Sequence, residues 1–291
     1  MSHIEHVDLE PQHASLSANL QDRAIEALES GKILFLPRYR FVVTDEESAI
    51  FSPGIISNSK NVSYDPRTGV ISGTLASEQS TGLLRKMIVR FADFAESLVL
   101  QFAPSYKSGL IRARTSFRPV EIEGRVTSWR KDDTRLHVDS FPSSPTRGKR
   151  ILRVFTNINP DGRSRLWRVG ESFEQMAVRF LPSIRRSLPC SSAVLKLLGI
   201  TKSRRTEYDH IMLHLHDRMK ADNRYQAEVE QIQFEFPAGS TWLAFTDQVS
   251  HAAMRGQYQL EQTFLVAVAN LRDETGSPLR VLERLTGRNL A

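Results

Sequence analysis

Apolar residues recur at helical spacing in the first third of the chain. Over Thr81–Phe102 they form a broad stripe that ends before Pro104, which predicts a long core helix. The same period occurs over Gln21–Ser30 and stops at Gly31, and the apolar run Lys32–Leu36 predicts a short strand. This part of the chain is therefore expected to combine helix and strand.

The pattern changes from Gly109 onward to short β-prone runs bounded by Gly, Pro, Asp and Asn. Strands at such spacing are typical of a sandwich or barrel. The predicted strands are Leu110–Phe117, Gly124–Trp129, Arg150–Asn157, Arg165–Val169, Ile232–Phe236, Thr241–Phe245 and Gln262–Asn270.

Helical periodicity returns within the β region and again at the end of the chain. Residues 171–225 contain FEQMAVRFL and SAVLKLLGI, which predict a helical insertion. The organisation that follows is a supporting segment of helices and strands (1–108), a β core with this insertion (109–275) and a C-terminal helix (276–291), in one compact domain. The leucines of Pro278–Leu290 share one face among three arginines, for which we favour core packing over contact with a membrane surface.

The composition is that of a globular protein. Of the 291 residues, 40% are hydrophobic and 25% are charged, and no apolar run of membrane-spanning length or signal-peptide type occurs. The single cysteine, Cys190, fits a reducing compartment. We therefore expect a cytoplasmic protein.

Arginine dominates the positive charge. The net charge is +6, and 30 of the 39 basic residues are arginine, whose planar fork of donors binds phosphate and carboxylate. No nucleic-acid-binding motif accompanies this charge, so nucleic acid is not the expected partner. An anionic membrane surface or substrate and a bias in codon usage both remain as explanations.

His137 and Asp139 are the first two candidate metal ligands. Alternate residues of an extended segment point to the same side, so the imidazole and the carboxylate converge on one point. A third ligand is predicted at His251, which follows a turn, a buried strand and a second turn, and which we place on the opposite wall of a barrel from His137. Two histidines and one carboxylate with open positions are typical of iron(II) oxygenases.

A second histidine cluster offers a competing metal site. His210 and His214 lie one helical turn apart, with His216 close by, as in helical zinc hydrolases. The glutamate that such enzymes carry after the first histidine is replaced by Ile211. A polar helix face is the simpler interpretation of these residues, and contact with the substrate is the other.

Several segments together resemble one family. The region from Arg112 to Gly170, the stretch FTDQVSHAAMRGQ and the C-terminal SPLRVLERLTGR are similar to bacterial Kdo hydroxylases, which modify the 3-deoxy-D-manno-oct-2-ulosonic acid (Kdo) of lipopolysaccharide. The resemblance implies a double-stranded β-helix, or jelly-roll (cupin-like), core and the use of Fe(II), 2-oxoglutarate and O2. It implies hydroxylation at C-3 of lipid A-linked Kdo to give Ko, and peripheral attachment to the inner face of the inner membrane.

The distal carboxylate of 2-oxoglutarate requires a cationic partner. Many relatives place an arginine about ten residues after the final histidine, and this sequence does not. Arg153, in an otherwise apolar strand, is our first candidate, Arg150 the second and Arg255 the third. A buried ion pair with Glu121 or Glu261 is the alternative role for Arg153.

Residues that flank the segment containing His137 and Asp139 are candidates for substrate binding. Four are cations able to bind the acidic sugar or lipid A phosphates, and one is an aromatic residue able to cover a sugar face; a solvated basic surface is the alternative. They are Trp129, Arg130, Lys131, Arg135 and Arg147.

Two other functions stay open on the sequence. The chain could be a 2-oxoglutarate oxygenase for a different anionic substrate, or a cupin-like binding protein without turnover. Iron-dependent release of succinate separates an enzyme from a binding protein.

Overall fold

The secondary structure is that of a computed structural model, which describes residues 3–9, 16–57, 60–187, 192 and 196–291. The strands are β1 (Ile4–His6), β2 (Ile33–Leu36), β3 (Val62–Asp65), β4 (Val70–Ser72), β5 (Leu110–Arg118), β6 (Arg150–Asn157), β7 (Arg165–Val169), β8 (Ile232–Phe236), β9 (Thr241–Phe245), β10 (His251–Arg255) and β11 (Gln259–Val266). The helices are α1 (Ala18–Glu29), α2 (Asp45–Ser48), α3 (Glu78–Phe102), α4 (Phe173–Phe180), α5 (Glu207–Ala221), α6 (Asn223–Glu228) and α7 (Pro278–Thr286).

The strands form two sheets. The larger has the order β1-β2-β9-β6-β11-β5-β3-β4 and the smaller has the order β10-β7-β8. Neighbouring strands are antiparallel except for β1 and β2. An aromatic core that includes Phe155, Trp167, Phe236 and Trp242 contains residues of both sheets. This is the jelly-roll core with flanking helices that the sequence predicts.

Alternation along the central strands decides which side chains can reach a site between the sheets. In β6, Leu152 and Val154 belong to the apolar core shared with α1 and α3, whereas Arg153 and Phe155 line a pocket on the opposite side. The long helix α3 buries Phe91 in that apolar core. The larger sheet is therefore supported by helices on one face and carries polar groups on the other.

Several predicted strands require correction. Gly124–Trp129 is not a strand: Gly124 lies in a turn at φ 75°, Val126 is 98% exposed, and a 3-10 turn begins at Trp129. Without a neighbouring strand this segment cannot satisfy a ladder of hydrogen bonds. The last strand is Gln259–Val266 rather than Gln262–Asn270, because the chain enters a 3-10 turn at Val268.

The segment predicted to support the barrel is itself part of the larger sheet. Residues 1–108 contribute β1, β2, β3 and β4 to its two edges. The helical insertion is present as α4, α5 and α6, while Cys190 and residues 193–195 of the predicted helix at 192–200 lie outside the described residues.

The C-terminal helix packs inward. It ends at Thr286, earlier than the predicted Leu290, because Gly287 adopts a left-handed conformation at φ 65°. Leu279 and Leu282 are buried in a core shared with α4 and α5, as expected for core packing. No described helix combines the length and apolarity needed to cross a membrane.

Candidate metal centre and its pocket

The three predicted metal ligands meet at one point. His137, Asp139 and His251 each offer a ligand atom, and these atoms lie within 4.8 Å of one another. His137 Nε2 lies 3.8 Å from Asp139 Oδ1, and the two imidazole rings are 4.7 Å apart. In the described part of the chain, this is the one group of three such residues able to hold a metal ion.

Backbone pairing brings the two histidines together. His137 does not lie within a strand but forms an isolated antiparallel bridge with His251, in which each amide donates to the other carbonyl at 3.0 and 2.9 Å. The two residues are therefore direct neighbours, and our expectation that they occupy opposite walls of the barrel was wrong. Asp139 is fixed by its own amide, which donates to the Thr246 carbonyl at 2.7 Å.

Hydrogen bonds and packing orient both imidazoles. Nδ1 of His137 lies 2.8 Å from the Arg135 carbonyl, and Nδ1 of His251 lies 2.8 Å from the Val249 carbonyl. A proton on each Nδ1 satisfies the carbonyl and leaves Nε2 free to bind a metal. Trp167 stacks on His251 with ring centroids 5.1 Å apart.

Burial sets the charge of the three ligands. It lowers the pKa of His137 and of His251, so both rings are neutral at pH 7. Burial alone would raise the pKa of Asp139, but Arg153 and other neighbours hold that pKa below its usual value. Two neutral imidazoles and one carboxylate are the donor set that suits iron(II).

A cavity of about 330 Å³ opens beside the three ligands, between the two sheets and helix α5. Seven cationic side chains and three carboxylates line it, so the pocket carries an excess of positive charge. The cations are Lys60, Arg118, Arg130, Lys131, Arg153, Arg165 and Lys220, and the carboxylates are Asp133, Asp139 and Glu261. Such a lining favours anionic ligands.

Arg153 lines this pocket but is already paired. It lies 3.1 Å from Asp139 Oδ2 and 2.9 Å from Glu261 Oε1, and its side chain is 12% exposed. The buried pair with Glu261 that the sequence left as an alternative is present. In this structure Arg153 contacts a metal ligand and Glu261, although its buried Nε has no hydrogen-bond partner.

The other two candidates for the cosubstrate carboxylate lie outside the pocket lining. Arg150 is fully buried against Asp247, 2.9 Å away, and Gln248. Arg255 pairs at the surface with Glu235 at 3.1 Å. The Arg150 guanidinium lies over the Phe245 ring, 4.0 Å from its centroid, and Arg255 is exposed, so neither lines the cavity.

Arg165 is a cation that the sequence analysis did not select. It is 3% exposed, its Nη1 donates to the Gly256 carbonyl at 3.2 Å, and its Nε has no hydrogen-bond partner. No described carboxylate lies within 4.0 Å of it. Burial lowers the pKa of Arg165 to about 9, so the group remains a cation at neutral pH, and the carboxylates that act on it do so from beyond 4.0 Å.

The candidate substrate residues divide into two groups. Arg130 and Lys131 line the pocket as predicted. Trp129 lies beneath the Arg130 guanidinium, 4.1 Å from it, and is not part of the lining. Arg135 is bound by the Lys220 carbonyl and Asn223, and Arg147 is exposed on a turn at φ 56°.

Helix α5 contributes residues that the sequence analysis left without a role or overlooked. His216 and Lys220 line the pocket, and the ring of His216 contacts His137 edge to face. His210 and His214 contact each other, but His210 Nε2 faces the Arg185 carbonyl and no third ligand joins them among the described residues. The spacing of His216 and Lys220, one helical turn, was the available signal.

Comparison with known proteins identifies relatives of the whole chain. The family model for 3-deoxy-D-manno-oct-2-ulosonic acid (Kdo) hydroxylase matches residues 11–289. A solved structure of the Kdo hydroxylase KdoO, a non-heme Fe(II) alphaketoglutarate dependent dioxygenase, in complex with cobalt(II) is 48% identical, with a TM-score of 0.96 and coverage of 99% of this chain and 97% of that chain. A search of curated proteins found no match.

Other solved structures of KdoO hold the cosubstrate and its product. The complex with alphaketoglutarate and Fe(III) is 47% identical with a TM-score of 0.95, and covers 100% of this chain and 98% of that chain. The complex with succinate and Fe(III) has the same identity and TM-score, covering 99% and 97%. By its sequence over nearly its full length, and by its fold, this chain belongs to the Kdo hydroxylase family of Fe(II)/2-oxoglutarate-dependent dioxygenases.

Proposed function

We propose that this chain is an iron(II)- and 2-oxoglutarate-dependent dioxygenase that hydroxylates C-3 of a Kdo residue linked to lipid A, giving Ko. The observation that carries the proposal is the convergence of His137, Asp139 and His251 in a chain of this family. The cationic pocket beside them suits both an acidic sugar and a dianionic cosubstrate.

Different residues of the pocket would bind the metal, orient its ligands and exclude water. His137, Asp139 and His251 would hold iron(II), which together with 2-oxoglutarate and O2 supplies the oxidising power. Arg153 keeps Asp139 ionised and fixed in place. Trp167 and Phe155 close the apolar side of the cavity and exclude water from it.

Arg165 is the residue to which we assign the distal carboxylate of 2-oxoglutarate. It lies on β7, two positions from Trp167, which stacks on His251, and its buried guanidinium has unused donors. A carboxylate satisfies such a group better than water does, because the planar fork donates two parallel hydrogen bonds to its oxygens. Arg153, our first candidate, already has two carboxylate neighbours, so we assign this role to Arg165 instead.

Peripheral attachment to a membrane is part of the proposal, and one surface segment supports it. Leu197, Leu198 and Ile200 are 87%, 66% and 52% exposed, among the basic residues of segment 196–205. The amide of Lys202 donates to the Ser143 carbonyl at 2.9 Å, next to Phe141 and Pro142 of the pocket lining. A lipid surface that met these side chains would therefore lie near the mouth of the pocket.

The test combines purified protein, iron(II), 2-oxoglutarate, oxygen and Kdo-lipid A. We expect succinate release together with a mass gain of one oxygen atom on Kdo, and the loss of both in His251→Ala. His214→Ala, which removes an exposed imidazole outside the pocket, is the matched control and retains activity.

Two results would redirect the assignment. Succinate release without oxygen on Kdo favours an oxygenase for another anion. Iron retention without any succinate favours a binding protein without turnover.

A further inference from the structure

Lys220 carries a buried ammonium group with one hydrogen-bond acceptor and no ion-pair partner among the described residues. It lies near the end of α5, is 2% exposed and lines the pocket. Its Nζ donates to the Arg130 carbonyl at 3.1 Å, and no described carboxylate lies within 4.0 Å of it. An ammonium has three donors, so two remain for a ligand.

Such a group is costly to the fold. Burial of a cation without an ion-pair partner is unfavourable, and burial lowers the pKa of Lys220, although Asp133 and Asp139 oppose this from beyond 4.0 Å. A methionine at this position would fill similar space without that cost. A cation kept in such surroundings is typical of a functional site rather than of packing.

The other pocket cations have partners or are exposed. Lys60 pairs with Asp133, Arg118 pairs with Glu261, and Arg130 pairs with Asp217. Arg153 pairs with two carboxylates, and Lys131 is exposed. Among the described pocket residues, Arg165 and Lys220 are therefore the buried cations without a carboxylate partner.

These two cations lie on different elements. Arg165 is on β7, inside the barrel, whereas Lys220 is on the helical insertion beside Arg130 and Lys131. The pocket consequently offers two separate positions for anions. One suits the cosubstrate within the barrel, and the other suits a substrate that enters past the insertion.

We infer that Lys220 binds the carboxylate of the sugar acid substrate and holds the sugar beside the metal centre. This inference rests on the proposed function and extends it to the residue that recognises the acid group. His216, one turn earlier on α5, is held by Asp217 at 3.0 Å and also lines the pocket, so the same helix face offers a second polar contact. A neutral sugar of the same shape would leave the Lys220 ammonium unpaired.

The experiment compares two substrates with two forms of the iron-loaded enzyme. The substrates are Kdo-lipid A and the derivative in which the Kdo carboxylate is a primary amide, and the forms are wild type and Lys220→Met. For wild type we expect kcat/KM to fall about 10- to 100-fold with the amide, the range for a charge-assisted hydrogen bond. For Lys220→Met the two substrates should react within about twofold of each other.

Two further measurements separate binding from structure. The 2-oxoglutarate KM of Lys220→Met should match that of wild type, and its melting temperature without ligands should be equal or higher, because a buried charge has been removed. Lys107→Met, at an exposed lysine outside the pocket, is the control and should prefer the carboxylate substrate over the amide by the same factor as wild type.

The outcomes are distinct. If Lys220→Met still prefers the carboxylate by the wild-type factor, or if its 2-oxoglutarate KM rises instead, the inference is overturned while the proposed function stands. If wild type transfers oxygen to neither substrate, the proposed function itself fails, and the role of Lys220 fails with it.

Discussion

Arg165 is a buried cation with no described carboxylate within 4.0 Å. Its guanidinium is buried, one donor faces the Gly256 carbonyl, and Nε has no partner. An unpaired buried cation destabilises the empty protein, and an anion that binds to it recovers that loss.

We therefore predict that Arg165→Met raises the 2-oxoglutarate KM about 10- to 100-fold, as expected for the loss of a charge-assisted contact. Iron binding should persist, since Arg165 is not a ligand. Steady-state kinetics measure the first effect and metal analysis the second. Arg255→Met is the control, because Arg255 pairs at the surface with Glu235. An unchanged KM in Arg165→Met, with a raised one in Arg153→Met, would return the role to Arg153.

The two buried histidines give the metal centre a defined pH dependence. Burial lowers the pKa of His137 and His251, so in the folded protein both are neutral above about pH 6.5, the ordinary value. Metal binding then releases no proton from them near neutrality, and we predict a cobalt(II) affinity that is nearly constant from about pH 8 to about pH 7. Calorimetric titration measures it; a steep loss of affinity in this window would contradict neutral imidazoles.

The same shifts affect the metal-free protein. Below about pH 6.5 the unfolded chain binds protons on these histidines that the folded chain does not. The free energy of unfolding should therefore decrease as the pH falls below that value. Urea unfolding at several pH values measures this decrease.

Sequence could predict the three residues that converge at the candidate metal centre and some of the cations beside them, but not the cations Arg165 and Lys220. His137 and Asp139 are two positions apart on an extended segment, so a local rule places them together. Arg165 and Lys220 differ from other basic residues only in lacking a partner, and that depends on which distant carboxylates approach them. Arg153 was selected for its apolar neighbours, yet its partner Glu261 lies 108 residues away along the chain.

At the scale of secondary structure, the sequence predicted the longer strands with clear boundary residues and missed the shortest strands. The bounds of β6, β7, β8 and β9 agree with the predicted strands, because Gly, Pro and Asn residues delimit apolar runs of five to eight residues. β1, β3 and β4 have three or four residues each and were not predicted. Such short strands form only because the edges of the larger sheet offer partners.

The carboxylate of Asp209 joins helix α5 to the turn at Thr146 and Arg147, which follows the segment that contains His137 and Asp139. Oδ1 of Asp209 accepts from the amides of Thr146 and Arg147 at 2.8 and 3.0 Å, and Oδ2 accepts from the amide of Thr206 at 2.9 Å. Asp209 thus caps α5 and fixes the turn that follows the metal-binding segment. The position of Lys220 depends on this attachment.

We predict that Asp209→Ala lowers the free energy of unfolding by about 3 kcal/mol, since it leaves buried amides without an acceptor. It should also raise the KM for the Kdo substrate while leaving the 2-oxoglutarate KM unchanged, because we propose that α5 carries the substrate contact and β7 the cosubstrate contact. Urea unfolding and steady-state kinetics test both parts. Glu228→Ala, in an exposed pair with Arg224, is the control and should change stability by less than about 0.5 kcal/mol. An equal loss in both variants would show that Asp209 has no special structural role.

At the scale of the whole molecule, basic residues and exposed apolar side chains of segment 196–205 lie on the same side of the protein as the mouth of the pocket. The chain carries a net charge of +6, and the exposed Leu197 and Leu198 lie in a basic segment bonded to the rim of the pocket. Cationic side chains attract an anionic lipid surface, and leucines that enter it gain the free energy of burial. This arrangement would present the pocket to a substrate whose lipid remains in the bilayer.

We therefore predict that L197S/L198S lowers binding to vesicles of anionic phospholipid about tenfold or more, the loss expected from two partly inserted leucines. Vesicle co-sedimentation at low salt measures it. V42S/L75S is the matched control, since Val42 and Leu75 are 64% and 72% exposed away from this segment. Activity should fall in parallel for substrate embedded in vesicles and stay unchanged for substrate dispersed in detergent, because no pocket residue has been altered. Equal vesicle binding by both double variants would exclude this segment as the membrane contact, and a loss of activity in detergent would mean that it acts on the pocket instead.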